Sequence, residues 1–247
     1  MKLKNLKRFF IFSYRKYILY PTSILILRLF FSKNDKSYVY IFHHIPKTAG
    51  TTFNSYLKKN FFLFKDYRLA WTNKINKPFD ITNFNNKCFI SGHFDYYPNC
   101  SAKERYNRQL KTHNKKFKTI TFVRDPFELK KSLFKYLKAN NQLDDDINLD
   151  KFMFKETNFL ANHLNCNDKN FKAVLDKYFF IGVTEYFNES LKSLSKVLKV
   201  NYYKVQKKNK STNKVSHSNQ ILKKFKQKNK LDYAIYNYII SKYKYSD

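Results

Sequence analysis

Apolar and polar positions along this chain switch between two periods. Tyr38–Phe42 is a short, continuous, β-prone apolar run, and Thr51–Lys59 reads as a helix behind a polar loop. Cys88–Ser91 is a second short strand, Phe117–Val123 a third with a helix from Pro126, and Tyr178–Val183 a fourth. Asn188–Leu198 then carries apolar residues at helical spacing, and Ile221–Lys228 and Leu231–Ile240 read as C-terminal helices. Strands alternating with helices predict an α/β protein, a three-layer sandwich around a parallel sheet. Ligands of such sheets sit beyond the carboxyl ends of the strands. No internal repeat or Gly/Ser linker interrupts the pattern. Ser32–Ser37 marks the expected boundary between an N-terminal extension, residues 1–36, and a domain covering residues 37–247.

Composition adds a charge problem to this picture. The 247 residues suit one domain, and 26 Phe with 20 Tyr supply ample core, so high charge does not imply disorder. Lys and Arg number 49 against 18 acidic residues, a formal charge of +31. That excess attracts nucleic acid, anionic lipid, phosphorylated cofactors or acidic polysaccharide without choosing among them, and a Lys-rich solvated surface with no dedicated partner is equally compatible. A basic nucleic-acid-binding protein is therefore one alternative, although no nucleic-acid motif is present.

Cys88, Cys100 and Cys166 have no C-x-x-C spacing and form no disulfide or metal framework, which points to a reducing, cytoplasmic setting. Near the start, Lys2, Lys4, Lys7 and Arg8 precede Phe9–Phe12, and the uncharged run Tyr17–Leu27 contains Pro21 and ends at Arg28. That run is shorter than the about 20 residues of a spanning helix, and no small-residue cleavage site follows it. Such mixing suits peripheral membrane contact through residues 1–31, and it equally suits a helix packed on the domain. A Golgi-type anchor is the alternative location.

The chemistry concentrates in Tyr38–Phe53, Y-V-Y-I-F-H-H-I-P-K-T-A-G-T-T-F. A buried strand runs into a loop with Pro46, Lys47 and Gly50, and a helix opens near Thr51 or Thr52. Free N–H groups and the helix dipole then converge on one point, which suits an anion. Gly50 permits a close backbone approach or a positive φ. Thr48, Thr51 and Thr52 offer hydroxyls, and Lys47 a mobile charge. A nucleotide kinase on a related fold is the runner-up enzyme, but its loop places Lys after the last Gly, whereas Lys47 precedes Gly50. An ordinary turn with a Thr N-cap is the bland alternative.

A second segment, Thr119–Ser132, ends a strand at Arg124, with Asp125 as N-cap and Pro126 at the first helical position. Arg124 and Ser132, two turns along, are able to meet on one phosphate. A capped helix with a surface Arg is the alternative reading. His93, in F-I-S-G-H-F, lies just past a strand, where a neutral imidazole serves as a base for an alcohol. A structural histidine is its plainer role.

I-P-K-T-A-G-T-T-F resembles the 5′-phosphosulfate loop of the sulfotransferase superfamily, nearest the carbohydrate branch of heparan and uronosyl 2-O-sulfotransferases with bacterial homologues. R-D-P, with Ser eight positions after the Arg, resembles that family's 3′-phosphate motif. The resemblance implies a P-loop-kinase-like sulfotransferase fold and 3′-phosphoadenylyl sulfate (PAPS) as donor, with no metal. It implies that Lys47, Thr48, Ala49, Gly50, Thr51 and Thr52 hold the phosphosulfate, and that Arg124 and Ser132 hold the 3′-phosphate. Lys47 and His93 would be the catalytic residues and a glycan or other hydroxyl compound, acidic or neutral, the acceptor.

This chain departs from relatives at Leu129, where Arg is frequent, and at Ser91, which replaces the first His of H-G-H. Ile181–Leu191 is similar to a G-[VL]-T-E-x-[FL]-x-x-S-L segment; Glu185 there is open to an orienting or a structural role. Lys207–Asn213 resembles a late loop closing over the nucleotide, with Lys210 and Ser211 as its contacts. The resemblance spans Tyr38 to Tyr238. Asp144, Asp145 and Asp146 read as an acidic loop. His43, His44, His113, His163 and His217 have no ligand spacing.

Overall fold

The structure, a computed structural model, describes residues 14, 18–30, 36–67, 78–94, 101–205 and 219–243. Its first half contains α1 (Tyr20–Phe30), β1 (Tyr38–His43), α2 (Gly50–Asn60), β2 (Phe62–Lys65), β3 (Cys88–Gly92), α3 (Ala102–Thr112) and β4 (Lys116–Val123). The second half contains α4 (Pro126–Ala139), α5 (Leu149–Lys155), α6 (Phe159–Leu164), α7 (Phe171–Asp176), β5 (Phe180–Val183), α8 (Phe187–Leu198), α9 (Asn219–Lys228) and α10 (Lys230–Lys242).

The strands form one five-stranded parallel sheet in the order β2-β3-β1-β4-β5. The inner strands β1 and β3 are buried on both faces and need apolar residues at odd and even positions alike, which is why they read as near-continuous runs. Tyr40, Phe42, Phe89, Phe122 and Phe180 face one way and pack on Phe53 and Tyr56 of α2 and Phe187 and Leu194 of α8. Val39, Ile41, Phe64 and Ile90 face the other way, against Tyr20 and Leu27 of α1 and Tyr106 of α3. On that same side Val123, Ile181 and Val183 meet Leu129 of α4, Leu160 of α6 and Ile235 of α10. The result is the three-layer α/β sandwich expected from the alternation.

Two elements near the site were not anticipated. β2 lies directly after α2 with no Gly or Pro between them, so the short apolar run Phe61–Phe64 is not told from a continuation of the helix by its pattern. α3 buries only Ala102 and Tyr106, so its apolar stripe is faint, yet Ser101 and Glu104 form a reciprocal capping box that signals its start.

β1 is flanked by β3 and β4, and the chain proceeds outward from it in opposite directions, so the strand order reverses there. His43 stands opposite Gly92 of β3 and Thr121 of β4. The Thr121 hydroxyl donates to the His43 carbonyl at 2.8 Å, and the His44 amide donates to the Gly92 carbonyl at 2.9 Å. The segments after β1, β3 and β4 therefore leave the sheet at one level.

Candidate functional site

The loop after β1 is held in an uncommon backbone conformation. Lys47 and Ala49 both occupy the left-handed region, at φ 66° and 62°. Such conformations cost energy for side-chain-bearing residues and concentrate at ligand sites. Thr48 between them is fully buried, and its hydroxyl donates to the Ile45 carbonyl at 2.8 Å. That hydroxyl proton braces the loop from inside, while Thr51 is exposed and Thr52 is buried. α2 begins at Gly50, and Ala49 stands at its N-cap with no side chain capping the first N–H groups. An uncapped helix start presents N–H donors and the positive end of the dipole together. No Thr acts as the cap.

Gly50 takes no positive φ. Its value is close approach: a Cβ there would fall 1.9 Å from His44 Nε2 and 2.0 Å from His44 Cδ2. The His44 ring thus lies flush against the start of α2.

The R-D-P segment folds as its residues predict. Asp125 accepts from the Glu128 amide at 2.9 Å, and Pro126 opens α4. Arg124 Nη1 donates to the Lys47 carbonyl at 3.3 Å, joining the loop after β1 to the segment after β4. Lys47 Nζ lies 4.3 Å from the centre of the Tyr136 ring on α4. Ser132 precedes Tyr136 by one helical turn and so shares the face that meets Lys47. Leu129, by contrast, is in the core. Burial and, secondarily, the Arg124 charge hold the Lys47 ammonium below the usual lysine range. Two cations held this close repel, and an anion between them relieves the repulsion.

Arg124 retains unused donor capacity. Its buried Nε–H has no hydrogen-bond acceptor; Glu185 Oε1, at 3.8 Å, is near enough for attraction and too far for a bond. Glu128 stands 3.8 Å from Nη2. Glu185 instead accepts from the Asp125 amide at 3.3 Å and the Tyr236 hydroxyl at 3.2 Å. Burial raises its carboxyl above the usual range, against the pull of the Asp125 N–H and the Arg124 charge. The preceding Thr184 donates to the Val123 carbonyl through both its amide and its hydroxyl, each at 2.9 Å. The G-V-T-E segment therefore fixes the turn that launches Arg124.

His93 is partly exposed at the mouth of the sheet. Its Nδ1 lies 2.5 Å from the His44 carbonyl oxygen. A carbonyl only accepts, so Nδ1 carries the proton and the neutral ring keeps its basic lone pair on Nε2. The His44 ring stacks on His93 with centroids 4.6 Å apart, and Tyr67 meets His93 edge-on at 5.0 Å. The Tyr67 hydroxyl lies 2.8 Å from both His44 Nδ1 and Ser91 Oγ, and it accepts from Asn54 at 3.0 Å. Ser91 is fully buried and belongs to this support.

His44, Tyr67 and Asn54 are site residues that sequence reasoning missed. The position of His44, immediately before the loop and two residues beyond Phe42, was the one available signal. Lys210 and Ser211, with the rest of Lys207–Asn213, lie outside the described residues, as does Cys100. Among the described residues no His, Cys, Asp and Glu side chains group to hold a metal.

No family model matches the chain, and no curated protein matches it. Among solved structures, a sulfotransferase from Alicyclobacillus acidocaldarius is similar at TM-score 0.49 and 12% identity, over 81% of this chain and 94% of that one. Mouse sulfotransferase SULT7A1 complexed with PAP is similar at TM-score 0.40 and 15% identity, over 85% of this chain and 70% of that one. Both likenesses are remote.

Proposed function

We propose that this chain is a sulfotransferase that takes a sulfuryl group from PAPS and delivers it to an acceptor hydroxyl. The observation that carries the reading is the Arg124–Lys47 contact at 3.3 Å. It brings two segments, each resembling half of a PAPS site, to adjoining strand ends, with Ser132 one helical turn before Tyr136, which meets Lys47. In this reading the uncapped start of α2 and Lys47 meet the phosphosulfate, and Arg124 with Ser132 meet the 3′-phosphate. The unused Arg124 Nε–H and the crowding of two cations both favour a polyanion.

The chemistry is an in-line displacement. The acceptor oxygen attacks sulfur, the bond from sulfur to the bridging phosphate oxygen breaks, and that oxygen keeps the electron pair. Lys47 and the N–H groups opening α2 neutralise the charge gathering there, as donors and cations do in phosphoryl transfer. His93, with its lone pair on Nε2, takes the acceptor proton. The products are a sulfate ester and 3′-phosphoadenosine 5′-phosphate.

A sugar hydroxyl on an acidic glycan is the favoured acceptor, supported by the resemblance to the carbohydrate branch and the charge of +31. Incubation with sulfur-labelled PAPS and a panel of glycans tests the reading by following label into the acceptor. Label transfer to a glycan is the expected result. Label that stays on PAPS throughout, together with failure to bind the bisphosphate product, would remove it.

A further inference from the structure

The apolar residues of α1 fall on two opposite faces. Tyr20, Ile24 and Leu27 recur at helical spacing and pack onto the sheet beside Val39, Ile41 and Phe64. The Tyr20 hydroxyl accepts from the Lys65 amide at 3.1 Å, and its ring meets Phe64 and Phe79 at 5.3 and 4.9 Å. Arg28 also turns toward the domain, where the Asn83 amide, oriented with its oxygen toward the guanidinium, accepts from Nη2 at 2.9 Å. The helix is thus fastened from one side.

The other face is apolar and open. Leu25, Leu29 and Phe30 are 56%, 64% and 75% exposed, and Ile18, Leu19 and Ile26 are exposed beside them. Polar groups on this stretch are already satisfied. The Thr22 hydroxyl lies 3.0 and 2.9 Å from the Ile18 and Leu19 carbonyls, and the Ser23 hydroxyl donates to Leu19 at 2.7 Å. A contiguous apolar stripe whose hydroxyls turn back on their own helix suits a nonpolar occupant.

Charge decides which occupant. Lys2, Lys4, Lys7, Arg8, Arg15 and Lys16 precede the stripe in sequence, and the chain as a whole carries +31. A second copy would bring the same positive charge to the contact, whereas an anionic bilayer offers an apolar layer beneath negative headgroups. We propose that α1 docks the protein on an anionic membrane surface. Leu25, Leu29 and Phe30 enter the headgroup–acyl boundary while Tyr20 and Leu27 hold the domain to the helix. A helix fastened to the domain along one face and apolar along the other lies in the plane of the surface; among the described residues no helix is long and apolar enough to cross a membrane. The inference is independent of the reaction proposed for the strand-end site.

The test uses the full chain, because removing α1 would strip Tyr20 and Leu27 from the core. Sedimentation is measured with phosphatidylcholine vesicles and with vesicles that also contain phosphatidylglycerol. The wild type should sediment with the anionic vesicles and weakly with the neutral ones. Leu25→Glu/Leu29→Glu should lower the bound fraction about tenfold or more, and neutral Leu25→Gln/Leu29→Gln should also lower it, since apolar insertion is lost in both. Unchanged thermal unfolding of the variants shows that the fold is intact. Equal sedimentation of wild type and variants would overturn the proposal. So would a wild-type dimer that both variants convert to monomer with no vesicle binding at all, which would make the stripe an interface between copies.

Discussion

Arg124 Nη1 donates to the carbonyl oxygen of Lys47, a residue 77 positions earlier in the chain. The bond ties the loop after β1 to the end of β4, and it puts two cations beside a helix start that no side chain caps. A protein pays electrostatic energy to hold charges in this way, and a ligand with phosphates at two points returns it.

Lys47 and His93 should separate binding from chemistry. Lys47→Ala should weaken donor binding and lower kcat together, because Lys47 meets the donor before and during bond breaking. His93→Ala should leave donor affinity unchanged and reduce kcat by about 10²–10⁴-fold, the usual contribution of a general base. Initial-rate kinetics and donor titration check this; a His93→Ala enzyme with wild-type kcat would assign the base elsewhere.

Gly50→Ala tests the contact between the loop and the histidine pair. The new Cβ would overlap the His44 ring, so the substitution should destabilise by about 1–3 kcal/mol, the usual cost of overpacking, and should lower turnover by displacing the ring against His93. In His44→Ala/Gly50→Ala the overlap is gone, and the stability cost of the Gly50 change should vanish relative to His44→Ala alone. Denaturant unfolding of the four proteins in this cycle gives the answer. A cost that persists without the ring would show that Gly50 is needed for another reason.

The strand before Tyr67 depends on a buried ion pair. Asp66 takes a two-point contact from Arg105, at 2.6 and 2.8 Å, and the Tyr106 hydroxyl at 2.8 Å. Arg105→Ala would leave the carboxylate buried with one neutral donor, and should cost about 3–5 kcal/mol. Thermal or urea unfolding measures it, and a change below about 1 kcal/mol would place the pair among the weak surface bridges.

Asp232 gives a pH signature of the C-terminal helices. It is buried in α10 and accepts from the Leu160 and Ala161 amides at 3.0 and 2.9 Å, at the start of α6. Burial pushes its carboxyl up to about 6, against the two N–H donors and the charges of Lys130 and His163. The folded value exceeds the unfolded one, so the folded chain binds more protons between them and this residue's contribution weakens as pH rises from about 4 to about 6. Asp232→Asn lacks that titration. Its stability relative to wild type should therefore improve by up to about 3 kcal/mol across the same window, read from urea unfolding at both ends. A constant difference would contradict the raised value.

The sequence made β1, β3, β4 and the loops after them legible because their buried C-terminal ends are rich in β-branched and aromatic residues and turn residues follow them. It placed Lys47, Arg124 and His93 at strand ends for the same reason. Gly50 was legible as a constraint but not as to its kind. The left-handed conformations fall on Lys47 and Ala49, and the glycine instead makes room for a ring. His44 and His93 are 49 residues apart, and only the β1–β3 register, His43 opposite Gly92, brings their rings together. Tyr67 stayed hidden because β2, which carries the chain to it, is a four-residue run directly after a helix, and periodicity alone does not tell it from a continuation of that helix.

The most direct measurement of the central claim is calorimetric titration of the protein with 3′-phosphoadenosine 5′-phosphate and with adenosine 5′-phosphate, which differ by the 3′-phosphate alone. One charge-assisted contact contributes about 1.5–3 kcal/mol, so the bisphosphate should bind roughly ten to a hundred times more tightly. Arg124→Ala should erase most of that difference while leaving the weaker nucleotide's affinity nearly unchanged. Equal affinity of the wild type for the two nucleotides would contradict the account, because Arg124 and Ser132 would then hold no phosphate.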